Sequence, residues 1–317
     1  MELPPLKPIV PMEPVRSETI PQTGNWAVQI KWDGVRVLTY FDGQNVRMFN
    51  RKLNERTLHY PEIADIRSYC DADSVVLDGE VIALGADGRP SFHQVMRRDG
   101  MRRMEKVLRL REEVPVSYMI FDIIHYNGEW IQRRTFAERS ELLEHIIKPN
   151  AHIQRVVSHD DAAALFAVMR QHGMEGIVMK NIESPYLIGE KKNYWLKIKN
   201  YRDLVAVIGG FTVREGRVNA LLLGQYDGQA GLRYIGHAGT AKFTYSEWKE
   251  LEHRLRTMTK QECPFFNKPR RTPFTYWTTP QITVKVRFAE WTEGATLRQP
   301  SIQGIADVPS EECNFGE

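Results

Sequence analysis

The chain has 317 residues, 42% hydrophobic and 26% charged, a globular composition with room for about two domains and little scope for disorder. Its formal charge of +3 neither demands nor excludes a nucleic-acid partner, so local basic faces must decide. Cys70, Cys263 and Cys313 are too few and too scattered for a disulfide framework or a four-cysteine zinc site, no apolar run reaches the ~18 residues of a membrane helix, and no charged-then-apolar leader is present; these features describe a soluble protein of a reducing cytoplasm.

In chain order, Pro4, Pro5, Pro8, Pro11, Pro14 and Pro21 deny the first 21 residues both helix and central-strand geometry, so they read as an extended lead-in. Residues 26–49 alternate apolar and polar positions around a turn at Asp42-Gly43, the pattern of a hairpin, which places Lys31 at or just after a strand end. Strands are expected at 75–84 and 116–124, and helices at 135–147 and 160–172, the second N-capped by Asp160. The irregular alternation of strands and helices favours α+β over a doubly wound sheet. After Lys199 the texture changes. Short β-type runs at 204–213, 218–226, 232–237 and 283–291, with one helix at 245–258, predict a small OB-type barrel; the boundary falls near 200–203 and gives domains 1–200 and 201–317.

Four short strings carry the chemistry. The first, Lys31-Trp32-Asp33-Gly34-Val35-Arg36, has the pattern K-x-D-G-x-R, whose chance occurrence at roughly 6% usage per fixed position is about one in a few hundred for a chain of this length. Leu77-Asp78-Gly79-Glu80, then Glu175 to Lys180 (EGIVMK), then Trp195-Leu196-Lys197-Ile198-Lys199 follow. Asp-Gly bends the chain so that Lys31 and Arg36 can face one site. An ordinary lysine is neutral in only roughly one molecule in a thousand near pH 7.4, and Lys31 read alone is also a plain exposed lysine on a hairpin turn. If it is a nucleophile, neighbouring cations would favour its neutral form, and Arg36, Lys197 and Lys199 are the candidates. Lys197 and Lys199 alternate on one strand face, where two like charges repel unless an anion lies between them. Glu175, between Gly173 and Gly176, is either an ordinary turn glutamate or a hard oxygen ligand, which would suit Mg²⁺ or Mn²⁺ rather than zinc. Read alone, Glu80 is also a plain strand-end carboxylate and Phe121 a plain core residue. Residues 97–111 hold Arg97, Arg98, Arg102, Arg103, Lys106, Arg109 and Arg111 against Asp99 and Glu105, a density that suits a DNA backbone or a solvated helix face. Lys268, Arg270 and Arg271 form a second basic patch.

Together and in this order the four strings resemble the covalent nucleotidyltransferase superfamily, and most closely the bacterial ATP-dependent DNA ligases of the end-joining type, over roughly residues 25–301. The resemblance implies a nucleotidyltransferase (ATP-grasp-like) domain with antiparallel sheets and flanking helices, followed by an OB-fold β-barrel. It implies that Lys31 attacks the α-phosphate of ATP to form lysyl-AMP, with Gln29, Ile30, Arg36, Glu80, Phe121, Lys197 and Lys199 around the nucleotide: Arg36 and Glu80 at the ribose, Phe121 stacked on adenine. Glu175 and Glu80 would serve Mg²⁺ or Mn²⁺. Arg51, in a partial match to an S-R-N-type element, grips a phosphate, while Arg97, Arg98, Arg102, Arg103, Lys268, Arg270 and Arg271 face DNA. The chain departs from the pattern at its end, where Ile305-Ala306-Asp307-Val308 stands in place of an expected Arg-x-Asp-Lys; Arg287 and Arg298 are the remaining cations to orient pyrophosphate.

The implied partner is nicked or broken duplex DNA, in repair, recombination or replication, together with an end-binding repair protein; the protein is expected to be a cytoplasmic monomer with no membrane association. An RNA ligase or capping-type guanylyltransferase shares the lysine, glutamate and Lys-x-Lys elements, so nucleotide and acceptor discriminate it. An NAD-dependent ligase would carry a zinc finger and a further N-terminal domain. A non-catalytic nick-binding module is the third alternative, discriminated by failure to form a covalent nucleotide adduct.

Overall fold

The computed structural model of the chain describes residues 6–103, 105, 107–239, 243–269, 274–289, 291–292 and 294–316. Two compact units emerge, Met1–Asn200 and Tyr201–Glu317. In the first, the strands are β1 (Glu13–Arg16), β2 (Trp26–Ile30), β3 (Val35–Phe41), β4 (Val46–Asn50), β5 (Val75–Ala83), β6 (Val116–Tyr126), β7 (Glu129–Trp130), β8 (Ile153–Arg155), β9 (Gly176–Asn181) and β10 (Lys191–Lys199). The helices are α1 (Pro61–Ala64), α2 (Phe92–Asp99), α3 (Val107–Glu113), α4 (Phe136–Ile146) and α5 (Ala162–Gln171).

Two sheets form, ordered β1-β10-β9-β2 and β4-β3-β5-β6-β7, with β8 beside β6. The expected antiparallel pairing dominates, but β1 runs parallel to β10 and β8 parallel to β6. The α+β reading holds. The hairpin reading of 26–49 holds only from β3 onward: β2 leaves to pair with β9, and residues 31–34 carry the chain from one sheet to the other. Gly34 permits that crossing, because a Cβ there would run into the carbonyl of Val81. One face of the first sheet packs Val28, Ile177, Met179 and Ile198 against Ala162 and Met169 of α5. The other face meets the second sheet through Trp195, Leu38, Tyr40, Val76 and Ile124. α4 is capped by a Thr135–Glu138 capping box. α5 is capped by Asp161, which accepts from Ala164 N at 2.9 Å, and not by Asp160.

The second unit is an OB-fold barrel built from β11 (Arg202–Arg214), β12 (Arg217–Tyr226), β13 (Leu232–Ala238), α6 (Tyr245–Thr257), β14 (Thr259–Lys260), β15 (Thr275–Thr278), β16 (Thr283–Phe288) and β17 (Ser301–Ala306). The long β11 pairs with β12 on one edge and, along the other, first with β16 and then with β15, which curls the sheet around its core. Leu251 and Leu255 of α6 pack with Ile208, Phe211, Leu221, Leu223, Val284 and Ile302 in that core. β15 and β17 add strands that the sequence reading passed over.

One basic residue of the 97–111 segment is misplaced by the sequence reading. Arg98 is completely buried in α2, where its guanidinium donates to Glu62 Oε2 at 3.0 Å, His59 O at 2.6 Å and Val114 O at 3.0 Å. It ties α1 and the ends of α2 and α3 together and cannot face DNA. Removing one partner of a buried ion pair strands the other's charge, so Arg98→Met is expected to destabilise this unit by about 3–5 kcal/mol in chemical denaturation. Arg102→Ala and Arg103→Ala, both at exposed positions, should stay within about 0.5 kcal/mol of the parent.

Candidate nucleotide-binding cleft

The register of β2, β9 and β10 sets out the inner face of the first sheet in three rows. Ala27, Lys180 and Trp195 form the deepest; Gln29, Val178 and Lys197 the next. At the rim the Lys31 amide donates to Gly176 O at 3.0 Å and Gly176 lies opposite Lys199. Because side chains alternate across a strand, this face grades from aromatic inside to cationic outside. Gly176 cannot be another residue at that rim: its φ is +140° and a Cβ would strike the carbonyl of Ile198.

Glu175 closes the rim. Its carboxylate is 3% exposed and bridges two amines, with Oε2 2.8 Å from Lys31 Nζ and Oε1 3.2 Å from Lys199 Nζ. Burial, reinforced by Lys31, Lys199 and Lys191, pushes the Lys197 amine down to about 8. Across the cleft, β3 and β5 place Arg36 opposite Glu80. Arg36 donates to Asp78 through Nε (2.8 Å) and Nη2 (2.5 Å), to Met12 O (2.7 Å) and to Tyr186 Oη (3.2 Å). Burial works against its charge, but Asp78 and Tyr186 outweigh it and raise the guanidinium above its ordinary range. The guanidinium also lies 5.3 Å from the Phe121 ring, which meets Trp195 edge to face at 6.2 Å.

The structure therefore brings Lys31, Gln29, Arg36, Glu80, Phe121, Glu175, Lys197 and Lys199 to one cleft. Gln29 is buried, with its amide Nε2 donating to Ser158 Oγ at 3.2 Å. Ile30 is the exception among the expected nucleotide residues, because alternation turns its side chain to the opposite face, against the α5 cluster. Arg51 sits in the turn after β4 and pairs with Glu13 at 3.1 Å. Arg97 donates to Gln94 and Glu113, whereas Arg102, Arg103 and Lys268 are exposed. Arg270 and Arg271 lie outside the described residues. In the second unit Arg287 stacks 3.4 Å above the Tyr201 ring, and Arg298 is exposed in the loop before β17. Sequence reasoning missed Asp78, Tyr186 and Lys180 as parts of the cleft. For Asp78 and Lys180 a signal was present, since each shares its strand's inner face with a residue already singled out, Glu80 and Gly176.

Among the described residues no group of three or more His, Cys, Asp or Glu side chains is disposed to hold a metal ion. The donor set of the cleft is instead two carboxylates, Glu175 and Glu80, close enough for each to feel the other's charge. That fits a hard cation which takes most of its ligands from phosphate and water and only one or two from protein.

Burial pushes the Glu80 carboxyl from its ordinary 4.5 up to about 8, against the opposing pull of Lys31 and Arg36. Between those values the folded chain binds more protons than the unfolded one, so the contribution of Glu80 to stability is lost as pH rises from about 4.5 through about 8. Glu80→Gln is thus expected to melt close to wild type near pH 5 and progressively higher toward pH 8, with no further divergence above. Parallel melting curves across that window would refute the assignment.

The family described as ATP dependent DNA ligase domain matches residues 13–199, and the ATP dependent DNA ligase C terminal region matches 214–308. The multifunctional non-homologous end joining DNA repair protein LigD of Mycobacterium tuberculosis is 31% identical over 291 residues, 90% of this chain and 36% of that protein. A probable DNA ligase of Sorangium cellulosum is 36% identical over 212 residues, 65% of this chain and 39% of that one. The chain thus spans little more than a third of the length of these relatives. Among solved structures, mycobacterial DNA ligase D complexed with ATP and MES superposes with a TM-score of 0.73 at 29% identity, covering 96% of this chain and 97% of that one. With both family regions present in order on a fold whose cleft gathers the four strings, the chain belongs to the ATP-dependent DNA ligase family.

Proposed function

We propose that the chain seals nicks between a 3′-hydroxyl and a 5′-phosphate in duplex DNA through a lysyl-AMP on Lys31, with residues 1–200 as the adenylation domain and 201–317 as an OB-fold domain that grips the duplex. One observation carries this reading: Lys31 and Lys199 share the buried Glu175 carboxylate at the cationic rim of a cleft whose inner end is aromatic. Such a gradient suits a nucleoside triphosphate, with phosphates at the rim, ribose between Arg36 and Glu80, and adenine on Phe121.

In the first step the neutral Lys31 amine attacks the α-phosphorus; the P–N bond forms, the P–O bond to the β-phosphate breaks and pyrophosphate leaves. The AMP then passes to the 5′-phosphate of the nick, P–O replacing P–N, and the 3′-hydroxyl displaces it to close the strand. Glu175 holds the Lys31 amine in an ion pair and so restrains it. Movement of Glu175 off Lys31 leaves the amine beside Lys197 and Lys199, whose charge disfavours its protonated form. Mg²⁺ or Mn²⁺, held by Glu175 and Glu80, would supply charge neutralisation at the triphosphate. Arg51 contacts phosphate, and Arg287 and Arg298 serve the departing pyrophosphate. Arg97, Arg102, Arg103, Lys268, Arg270 and Arg271 serve the DNA backbone; Arg98 is excluded by its burial. The names of the relatives motivate a setting in DNA break repair, for which an end-binding protein is proposed as partner on the chemistry of the substrate alone. Among the described residues no helix is long and apolar enough to cross a membrane.

Incubation with α-labelled ATP, GTP or NAD, followed by a chase with nicked DNA or nicked RNA, tests nucleotide and acceptor together. Label from ATP alone, discharged by nicked DNA, is the expected result; label from GTP or discharge by RNA would favour the other nucleotidyltransferases. Lys31→Arg keeps the charge but supplies no neutral amine and should take no label. Glu175→Gln should lose roughly 10²–10³-fold in labelling at any Mg²⁺ concentration, and near-normal labelling would reject its role. Neutralising Arg102 and Arg103 should flatten the salt dependence of nick binding by about one unit of slope per lost phosphate contact while self-labelling survives.

A further inference from the structure

Lys180 ends the inner face of β9 in the deepest row of the cleft and is 1% exposed. Its Nζ donates to the Phe121 carbonyl at 2.9 Å and lies 4.4, 4.2 and 4.6 Å from the ring centroids of Phe121, Trp195 and Phe136. Asp122 Oδ2 is 3.9 Å away, but that carboxylate is held by Arg139 through two bonds of 2.7 and 3.1 Å. A methionine or leucine would fill such a space without the cost of desolvating an amine. What singles out one neighbour is the hydrogen bond: the amine faces all three rings, but it grips the backbone of Phe121 while also supporting the Phe121 ring electrostatically.

We propose that Lys180 is a positioning residue for the nucleotide base, fixing Phe121 from inside the sandwich so that its ring is presented as a rigid platform to adenine. The inference rests on the ligase reading, which supplies adenine as the occupant. Lys180 acts through Phe121 and does not touch the nucleotide. Burial pushes its amine down to about 7, opposed by Asp122 and Asp78 and assisted by Arg139 and Arg36. The charged and titratable groups around it are Arg36 of β3, Asp78 of β5, Asp122 of β6, Arg139 of α4 and Tyr186 ahead of β10. Only the charged amine supports the ring by cation–π attraction, so the support weakens as pH rises through about 7.

The test is self-adenylation kinetics of the full chain. Lys180→Met should raise the KM for ATP about tenfold, with kcat reduced less than about twofold and cooperative melting retained. Phe121→Leu should raise KM comparably, and the double variant no more than the larger single effect, because both remove the same platform. Multiplying effects, or an unchanged KM in a folded Lys180→Met protein, would overturn the proposal. If the methionine variant does not melt cooperatively, the KM ratio of Phe121→Leu to wild type is read across pH instead. In that ratio the titrations of ATP and of the rim lysines cancel. A ratio that shrinks as pH rises through about 7 supports Lys180, and a constant ratio overturns it. A wild-type chain that takes no label from ATP overturns the ligase reading and this inference with it; a labelled wild type with multiplying effects overturns this inference alone.

Discussion

The buried Glu175 carboxylate, held between the amines of Lys31 and Lys199, is the contact on which the cleft of the first unit depends. It joins the crossing between the two sheets to the last residue of β10, so it fixes the position of the proposed nucleophile. In the proposed mechanism it also restrains that nucleophile. A carboxylate at hydrogen-bond distance favours the ammonium form, which cannot attack phosphorus. The same side chain therefore organises the rim and, in the proposed mechanism, releases Lys31 before chemistry begins.

Around that contact the two sheets arrange a gradient that follows from strand register. Rows spaced two residues apart on β2, β9 and β10 pass from Trp195 and Lys180 through Gln29 and Lys197 to Lys31 and Lys199. The facing sheet adds Arg36 and Glu80 side by side, and Asp78 locks Arg36 by a bidentate pair that a lysine could not reproduce. Burial is the largest cause of the displaced pKa values of Glu80, Lys197 and Lys180; beyond it, Lys31 acts on both Glu80 and Lys197, and Arg36 on both Glu80 and Lys180.

Much of the cleft was legible in the sequence because its chemistry lies in short strings whose side chains alternate with the pleat. Lys197 and Lys199 on one face, with Ile198 turned toward α5, follow from a period of two. Other features were not legible. Nothing local in residues 26–49 says that β2 leaves for β9 while β3 begins a different sheet; that partition depends on pairing with strands far along the chain. Arg98 reads as one more cation in a basic segment. The clue was its spacing three residues after Val95, which puts it on the buried face of α2 beside Glu62. The short β15 and β17 lack the alternating run that marks a strand, and exist because the long edge of β11 and the strand β16 offer them partners.

The central claim is that the amine held by Glu175 is the one that becomes covalently adenylated. Peptide mapping by mass spectrometry, after incubation of the wild-type chain with ATP and Mg²⁺, addresses it directly. The account expects one AMP on the peptide that contains Lys31, removed when nicked DNA is added. An adduct on Lys180, Lys197 or Lys199, or no adduct under conditions where nicks are sealed, would contradict it.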